Sequence, residues 1–412
     1  MDLLYLHQYF NTPDMNGSTR SWELARRLVD RGHRVRMLTS WRENDGSRDW
    51  FVTDEAGIEV HWLPVPYDNN MGYPQRLRAF GRFAIGAARR AASLSADLVF
   101  ATSTPLTIAL PAAYAIRRQR CPMVFEVRDL WPEMPIAVGA LRHPLLIRLA
   151  RELERFAYRN AARVVALSPG MRDGVVATGY PPERVRVIPN SCDLALFDAS
   201  PTTARSFRDL HPELGERPIL LYAGTLGRIN GVDYLAHLAA ALGAQGTPLN
   251  VVIIGDGAQG EQVRDTARRL GVLDRHLFMY PMCSKQGIVA AFAAAEMAIS
   301  CFVDLPEMEK NSANKFFDAL ASGTPVAINY GGWQAELIER HDIGLRLSRD
   351  PRRAAKQLEA WFADAAQQAR AGAKARELAR TRFSRDHLAD ELEAVLQEAL
   401  DERQANQRQH QL

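Results

Sequence analysis

Leu3-Leu4-Tyr5-Leu6-His7, the polar stretch Asn11–Thr19, then Ser21–Asp30, Gly32 and Arg34–Thr39: this opening run decides the fold. The first five residues read as a strand. Trp22, Leu24, Ala25, Leu28 and Val29 recur at helical spacing and give Ser21–Asp30 an inner side. Gly32 is a helix stop, and Arg34–Thr39 is the second strand. Strand, loop, helix and strand in this order make one unit of a parallel sheet covered by helices.

The alternation continues. Leu98–Ala101, Met123–Val127, Val164–Leu167 and Val185–Ile188 are further strand candidates. Residues 193–218, with Pro201, Pro212 and Pro218 and many charges, read as a break. A second series follows, with strands at Ile219–Ala223, Asn250–Ile254, His276–Tyr280, Met297–Cys301 and Pro325–Ile328 and helices between them. The expected architecture is α/β: two Rossmann-like domains facing across a cleft, residues 1–195 and 196–384. The chain is charged and helical from Arg352 onward, and residues 403–412 are Gln-rich and expected to fray.

The 412 residues suit two to three domains. Apolar residues make up 47% and charged residues 24%, which excludes a disordered or fibrous chain. Basic and acidic residues number 51 and 48, a net +3 that is too balanced for a dedicated nucleic-acid binder. Residues 1–195 carry +6 of this and the remainder −3. Cys121, Cys192, Cys283 and Cys301 are far apart, with no CxxC pair, so reduced thiols and a cytoplasmic location are expected. His7-Gln8 ends the first apolar run too early for a secretory signal, and no run is long enough to span a bilayer.

No G-x-G-x-x-G follows the first strand, and no G-x-x-x-x-G-K-[ST] occurs, so hydride transfer and ATP hydrolysis lose their signatures. Gly17-Ser18 stands at a helix start, where backbone N–H groups can meet an anion; a plain N-cap by Ser18 or Thr19 is the alternative. Gly224-Thr225-Leu226-Gly227-Arg228 leaves a strand in the same manner, with an Arg suited to phosphate oxygens. Ile253-Ile254-Gly255-Asp256-Gly257 is a third such turn. Carboxyl-end turns of this kind line the ligand crevice of open α/β sheets.

These residues resemble the retaining glycosyltransferases of family 4, which have the GT-B fold. The resemblance rests on His7-Gln8-Tyr9-Phe10 with Gly17-Ser18-Thr19-Arg20 and Arg31-Gly32-His33-Arg34-Val35, and on Phe125-Glu126-Val127-Arg128-Asp129-Leu130-Trp131-Pro132-Glu133. It also rests on Leu167-Ser168-Pro169-Gly170-Met171, on Val187-Ile188-Pro189-Asn190, and on Tyr222-Ala223-Gly224-Thr225 with Asn314-Lys315-Phe316-Phe317-Asp318-Ala319-Leu320-Ala321-Ser322-Gly323. The second string is similar to the branch that transfers N-acetylated aminosugars, such as N-acetyl-L-fucosamine, onto polysaccharide intermediates. The resemblance implies transfer of a sugar from a UDP-sugar to a hydroxyl with retained configuration. The implied acceptor is a glycan or polyprenyl-diphosphate-linked intermediate, and no metal or other cofactor is expected. It also implies that the last helix, residues 385–412, crosses back to the first domain.

Two family glutamates eight apart fall on Lys310 and Asp318; Asp318 retains a carboxylate for ribose, and Glu307 or Glu309 is a candidate substitute for the first. The family's diphosphate-binding Arg and Lys fall on Thr225 and Asn230, so Arg228 and Lys315 are expected to supply the charge. The donor side is assigned to Gly17, Gly224, Thr225, Gly227, Arg228, Asp256, Met282, Asn314, Lys315 and Asp318. The catalytic side is assigned to Glu126, Arg128 and Asp129, near which the family's catalytic-region His falls. Plainer readings stand beside these: Asp129 as a turn cap, Arg128 paired with Glu126 or Glu133, Trp131 as packing, Asp318 as helix-dipole pairing, and His7 and His33 as structural.

No acidic residue occurs from Asn69 to Ala96, where Arg76, Arg78, Arg82, Arg89 and Arg90 alternate with Leu77, Phe80, Phe83 and Ile85. Such a segment suits an anionic membrane surface, peripheral on the inner face of the plasma membrane. It equally suits a solvated Arg face with Phe80 and Phe83 turned inward, or a basic site for an acceptor diphosphate. Two rival functions remain at this stage: a UDP-N-acetylhexosamine epimerase, and an inactive nucleotide-sugar-binding homologue.

Overall fold

The computed structural model describes residues 1–15, 17–68, 71–198 and 200–409. The chain divides into two compact units, residues 1–189 with those from 385 onward, and residues 190–384. The boundary lies at 189/190 rather than 195/196, because Cys192 donates its backbone N–H to Phe383 O at 2.7 Å and bridges to Ser384.

In the first unit, β1 (Asp2–Leu6) leads through α1 (Arg20–Asp30) to β2 (Arg34–Trp41). A hairpin of β3 (Phe51–Glu55) and β4 (Ile58–Pro64) follows, then α2 (Tyr73–Ser93), β5 (Leu98–Thr102), α3 (Ala109–Gln119) and β6 (Met123–Val127). The unit continues with α4 (Glu133–Ala137), α5 (Pro144–Asn160), β7 (Arg163–Ala166), α6 (Pro169–Ala177) and β8 (Val185–Val187). The sheet order is β3-β4-β2-β1-β5-β6-β7-β8, and only β3 runs antiparallel to its neighbour. Alternate residues of β1 point to opposite faces. Leu3 and Tyr5 join Leu24, Ala25 and Leu28 of α1, whereas Leu4 and Leu6 join the core beneath α2, α3 and α5. Burial on both faces is why this strand reads as an unbroken apolar run.

In the second unit the elements are α7 (Pro201–Leu210), β9 (Ile219–Ala223), α8 (Asp233–Gln245), β10 (Asn250–Ile254), α9 (Gly260–Arg269) and β11 (Leu277–Tyr280). They continue with α10 (Lys285–Ala294), β12 (Met297–Ser300), α11 (Asn314–Ser322), β13 (Val326–Ile328), α12 (Trp333–His341), β14 (Gly344–Arg346), α13 (Pro351–Phe362) and α14 (Ala365–Arg382). This sheet is parallel throughout, in the order β11-β10-β9-β12-β13-β14. The stretch read as a break contains α7, whose Phe207 is buried.

The last helix, α15 (Arg385–Gln409), belongs to the first unit. Leu388, Leu392 and Leu396 enter the core with Leu3 and Tyr5. Arg27–Asp386 and Arg385–Glu23, each at 2.6 Å, flank the seam with α1, and His33 reaches Glu393 at 2.6 Å, which makes His33 structural. The tail expected to fray from residue 403 is helical through Gln409; its remaining residues lie outside those described. Among the described residues, no helix is long and apolar enough to cross a membrane.

Candidate functional site

Open α/β sheets bind ligands beyond the carboxyl ends of their strands, where the winding reverses. In the first sheet the chain winds from β1 one way to β2 and the other way from β5, so the reversal lies between β1 and β5. In the second it lies between β9 and β12. The sequence-assigned residues gather at the carboxyl edges of these two sheets.

In the first unit, His7 follows β1, Gly17–Thr19 precede α1, and Arg128 and Asp129 follow β6. Arg128 reaches His7 Nε2 through Nη1 at 3.2 Å and donates through Nη2 to Ser18 Oγ at 3.2 Å. Its backbone N–H donates to Ser103 Oγ at 3.1 Å. The turns of the glycine loop and of the Arg-Asp string, far apart in sequence, are thereby joined. His7 is buried, and that burial, reinforced by Arg128 and Arg42, holds its pKa well below the usual imidazole value. The ring is therefore neutral and Nε2 accepts the guanidinium N–H. Asp129 accepts from Thr104 Oγ1 at 3.2 Å. Loss of solvation raises its carboxyl above the ordinary aspartate value, against Arg128 and Thr104. Gly17 has φ 131°, and a Cβ there would lie 2.6 Å from Asn11 Nδ2, so the loop closes only with glycine. Thr19 is the N-cap residue of α1 but makes no side-chain capping bond.

Glu126 is corrected from a catalytic to a scaffold residue. It has 0% exposure and cannot touch a substrate. Arg20 holds it at 2.9 Å, and Thr102 Oγ1 donates to it at 2.6 Å. Burial pushes its pKa up, but Arg20, Arg128 and Thr102 together outweigh that and hold it below the ordinary carboxylate range. Arg20 also donates to the carbonyls of Ile188 and Pro189, fixing the end of β8. Arg128 makes no ion pair with Glu126 or Glu133 among the described residues; Glu133 pairs with Arg151 at 3.3 Å. Trp131 is half-buried against the core below α2, α3 and α5.

In the second unit, Gly224, Thr225, Gly227 and Arg228 lie on the loop after β9, Asp256 after β10, and Met282 after β11. The first two loops interlock. Gly224 N–H donates to Ile254 O at 2.9 Å, Leu226 N–H to Asp256 O at 2.8 Å, and a Cβ on Gly255 would fall 1.9 Å from Gly224 O. Asp256 is exposed, and its carboxylate accepts the Gly257 N–H at 2.7 Å. Met282 is 55% exposed and brings no polar group to the edge.

Asn314, Lys315 and Asp318 occupy the first half of α11, whose N-cap residue, Ala313, makes no side-chain cap. The N-cap side chain thus offers no oxygen to the first N–H groups of this nine-residue helix, at the positive end of its dipole. Lys315 Nζ lies 5.0 Å from the centroid of the Tyr222 ring, and its Cε would be 2.6 Å from a Cβ on Gly224. Burial lowers the Lys315 pKa, while Cys301 and Asp318 oppose the shift. Arg228 is exposed on the turn Arg228–Asn230, which is tied to the segment after β12 by Val303 N–H to Ile229 O at 3.0 Å. Lys310 is exposed at the end of the turn Pro306–Lys310. Glu309 is turned toward Gly331, where a Cβ would meet its Oε1 at 2.6 Å and Arg346 Nη2 at 3.1 Å.

Sequence reading missed His7 as the acceptor that orients Arg128, and Tyr222 as the ring beneath Lys315. The available signal was position: each stands at or next to the carboxyl end of the strand beside the reversal. Among the described residues, no group of three or more His, Cys, Asp or Glu is placed to hold a metal ion.

Residues 17–191 match the family described as glycosyl transferase 4-like domain, and residues 205–378 match glycosyl transferases group 1. The 2-deoxystreptamine N-acetyl-D-glucosaminyltransferase of Streptomyces fradiae is 28% identical over 44% of this chain and 42% of its own length. The GDP-mannose-dependent alpha-mannosyltransferase of Mycobacterium tuberculosis is 28% identical over 60% of this chain and 58% of its own. The chain thus spans about half the length of these curated relatives. HepE of Anabaena, solved in complex with UDP and glucose, superposes with a TM-score of 0.70 at 18% identity, covering 97% of this chain and 100% of HepE. With two α/β units, the second sheet wholly parallel and the first parallel but for β3, matched in order by the two domain types, the chain belongs to the glycosyltransferase family of GT-B fold.

Proposed function

We propose that the chain transfers a sugar, an N-acetylated hexosamine, from a UDP-sugar to a hydroxyl of a lipid-linked glycan, retaining the anomeric configuration. The observation that carries the reading is the convergence of Gly224, Lys315 and the side-chain-uncapped start of α11 at the reversal of the second sheet. A departing diphosphate needs positive charge and N–H donors held ready in place. Lys315, Arg228 and the first amides of α11 fill that need, with no metal assigned. Asp318 accepts the ribose hydroxyls. The aminosugar assignment is supported by the string Phe125–Glu133 and by the N-acetylglucosaminyl relative.

In the reaction, the bond between the anomeric carbon and the diphosphate oxygen breaks while the acceptor oxygen bonds to the same face. The departing phosphate takes the acceptor proton, so no protein nucleophile is required. Arg128 and Asp129 are assigned to the sugar and the acceptor. The location proposed is cytoplasmic, peripheral on the membrane surface that carries the acceptor.

Calorimetry with UDP and a product assay with UDP-N-acetylglucosamine test the reading. Asp318→Ala is expected to weaken UDP by about 1–3 kcal/mol through loss of charge-assisted bonds. Unchanged affinity with the fold intact removes Asp318 from the ribose site. Slow release of free sugar and UDP supports a transferase, sugar interconversion supports an epimerase, and binding without turnover supports an inactive homologue.

A further inference from the structure

The basic segment read from the sequence, apart from residues 69 and 70, which lie outside those described, forms most of α2, and its side chains divide in two. Phe83 is buried, Phe80 stacks on Tyr67 at 6.2 Å, and Arg90 turns to His61, so these cannot meet a membrane. Leu77 and Ile85, eight residues and so about two turns apart, stand 54% and 58% exposed on the other side with Arg78, Arg82 and Arg89.

The neighbouring helices continue that side. α3 packs against both α2 and α5, and all three cover the same face of the first sheet. On α3, Leu110 and Tyr114 are exposed one turn apart, followed by Arg117 and Arg118. On the first two turns of α5, Leu145, Leu146 and Leu149 are 58%, 44% and 56% exposed, with Arg148 among them. Seven large apolar side chains thus lie exposed on three adjoining helices. Neither α2 nor α3 contains an acidic residue, and α5 has none before Glu152. Among the described residues, Arg78, Arg82, Arg89, Arg118 and Arg148 form no ion pair. A soluble surface seldom leaves so many leucines open without a partner that covers them.

We propose that the outer side of α2, α3 and the first half of α5 is a docking surface for an anionic lipid bilayer, with the α5 leucines as the inserting element and the arginines at the headgroups. Charge complementarity selects the occupant. Apolar side chains interspersed with arginines and free of carboxylates suit the acyl–headgroup boundary of an anionic leaflet. The proposal rests on the peripheral location given above and names the surface that achieves it.

Flotation of the full chain on phosphatidylcholine vesicles, with and without phosphatidylglycerol, tests it. The wild-type chain is expected to float with the mixed vesicles and to be released by salt. The triple variant Leu145→Ser, Leu146→Ser, Leu149→Ser should lose at least about tenfold in bound fraction, with its thermal melt unchanged. The variant Arg78→Gln, Arg82→Gln, Arg89→Gln should lose the dependence on phosphatidylglycerol. Wild-type protein that ignores both vesicle types overturns the peripheral reading itself. Wild-type flotation that survives the leucine triple variant overturns the surface named here and leaves that reading standing. Size-exclusion chromatography covers the remaining occupant: a lipid-free dimer dispersed by the leucine variant assigns the face to a second copy and overturns the proposal.

Discussion

The two sheets reverse their winding at corresponding places but treat positive charge there differently. In the first unit, Arg20 is matched by fully buried Glu126, and Arg128 is held by the neutral acceptors His7 and Ser18. In the second unit, Lys315 is desolvated beside the Tyr222 ring and the Gly224 loop. The first arrangement closes a scaffold; the second holds a cation in an environment that disfavours it, where the proposed diphosphate would compensate the charge. In the proposed reading, stability and ligand binding are thus carried by different charges.

The largest expected effect breaks the scaffold. Glu126→Ala leaves Arg20 buried without its partner and should cost about 3–5 kcal/mol of stability, measured by denaturant unfolding. The folded Glu126 pKa is lowered, so its contribution is full above the unfolded carboxylate pKa and is lost as pH falls through the folded one. Glu126→Gln should therefore flatten the acid limb of the stability profile. An unchanged acid limb contradicts the pairing.

A smaller effect of opposite sign sharpens the comparison. Because burial lowers the Lys315 pKa, folding disfavours its charged form at neutral pH. Lys315→Met should leave the chain equally stable or more stable by about 1 kcal/mol, as thermal melting would show. A clear loss of stability would make Lys315 a structural cation like Arg20.

Much of the framework was legible because it follows local rules. The run Leu3–His7, the helical spacing of Leu24, Ala25 and Leu28, and Gly32 give the β1-α1-β2 unit to within two residues at either end. The glycine turns after β9 and β10 were also legible, since strands followed by closely spaced glycines have few other uses. The β3–β4 hairpin was missed because its turn pairs Gly57 with Ala56 at φ 57°, and alanine is not a residue that announces the left-handed region. The three-residue edge strand β14 is too short to show a period, and the proline-bearing break concealed α7 because Pro201 stands at a helix start, where proline is tolerated.

The candidate site was legible as residue types but not as roles. Glu126 reads as a catalytic carboxylate because it stands two residues before Arg128, near which the resembled family's catalytic-region His falls. Only the strand register, which places it opposite Thr102 and near Arg20, turns it into the core. His7 reads as structural, and its burial agrees, yet its neutral ring orients the Arg128 guanidinium. Lys315 was expected to supply charge, but its seat on Tyr222 depends on β9 and the start of α11, some ninety residues apart, meeting at the sheet reversal.

The central claim, that the second unit's reversal is the diphosphate site, is tested most directly by titrating UDP and uridine into the wild-type chain and Lys315→Ala. The account predicts that the variant loses about tenfold or more for UDP, the worth of a charge-assisted bond, while uridine affinity is unchanged. Equal losses for both ligands, or UDP affinity unmoved with the fold intact, would contradict it.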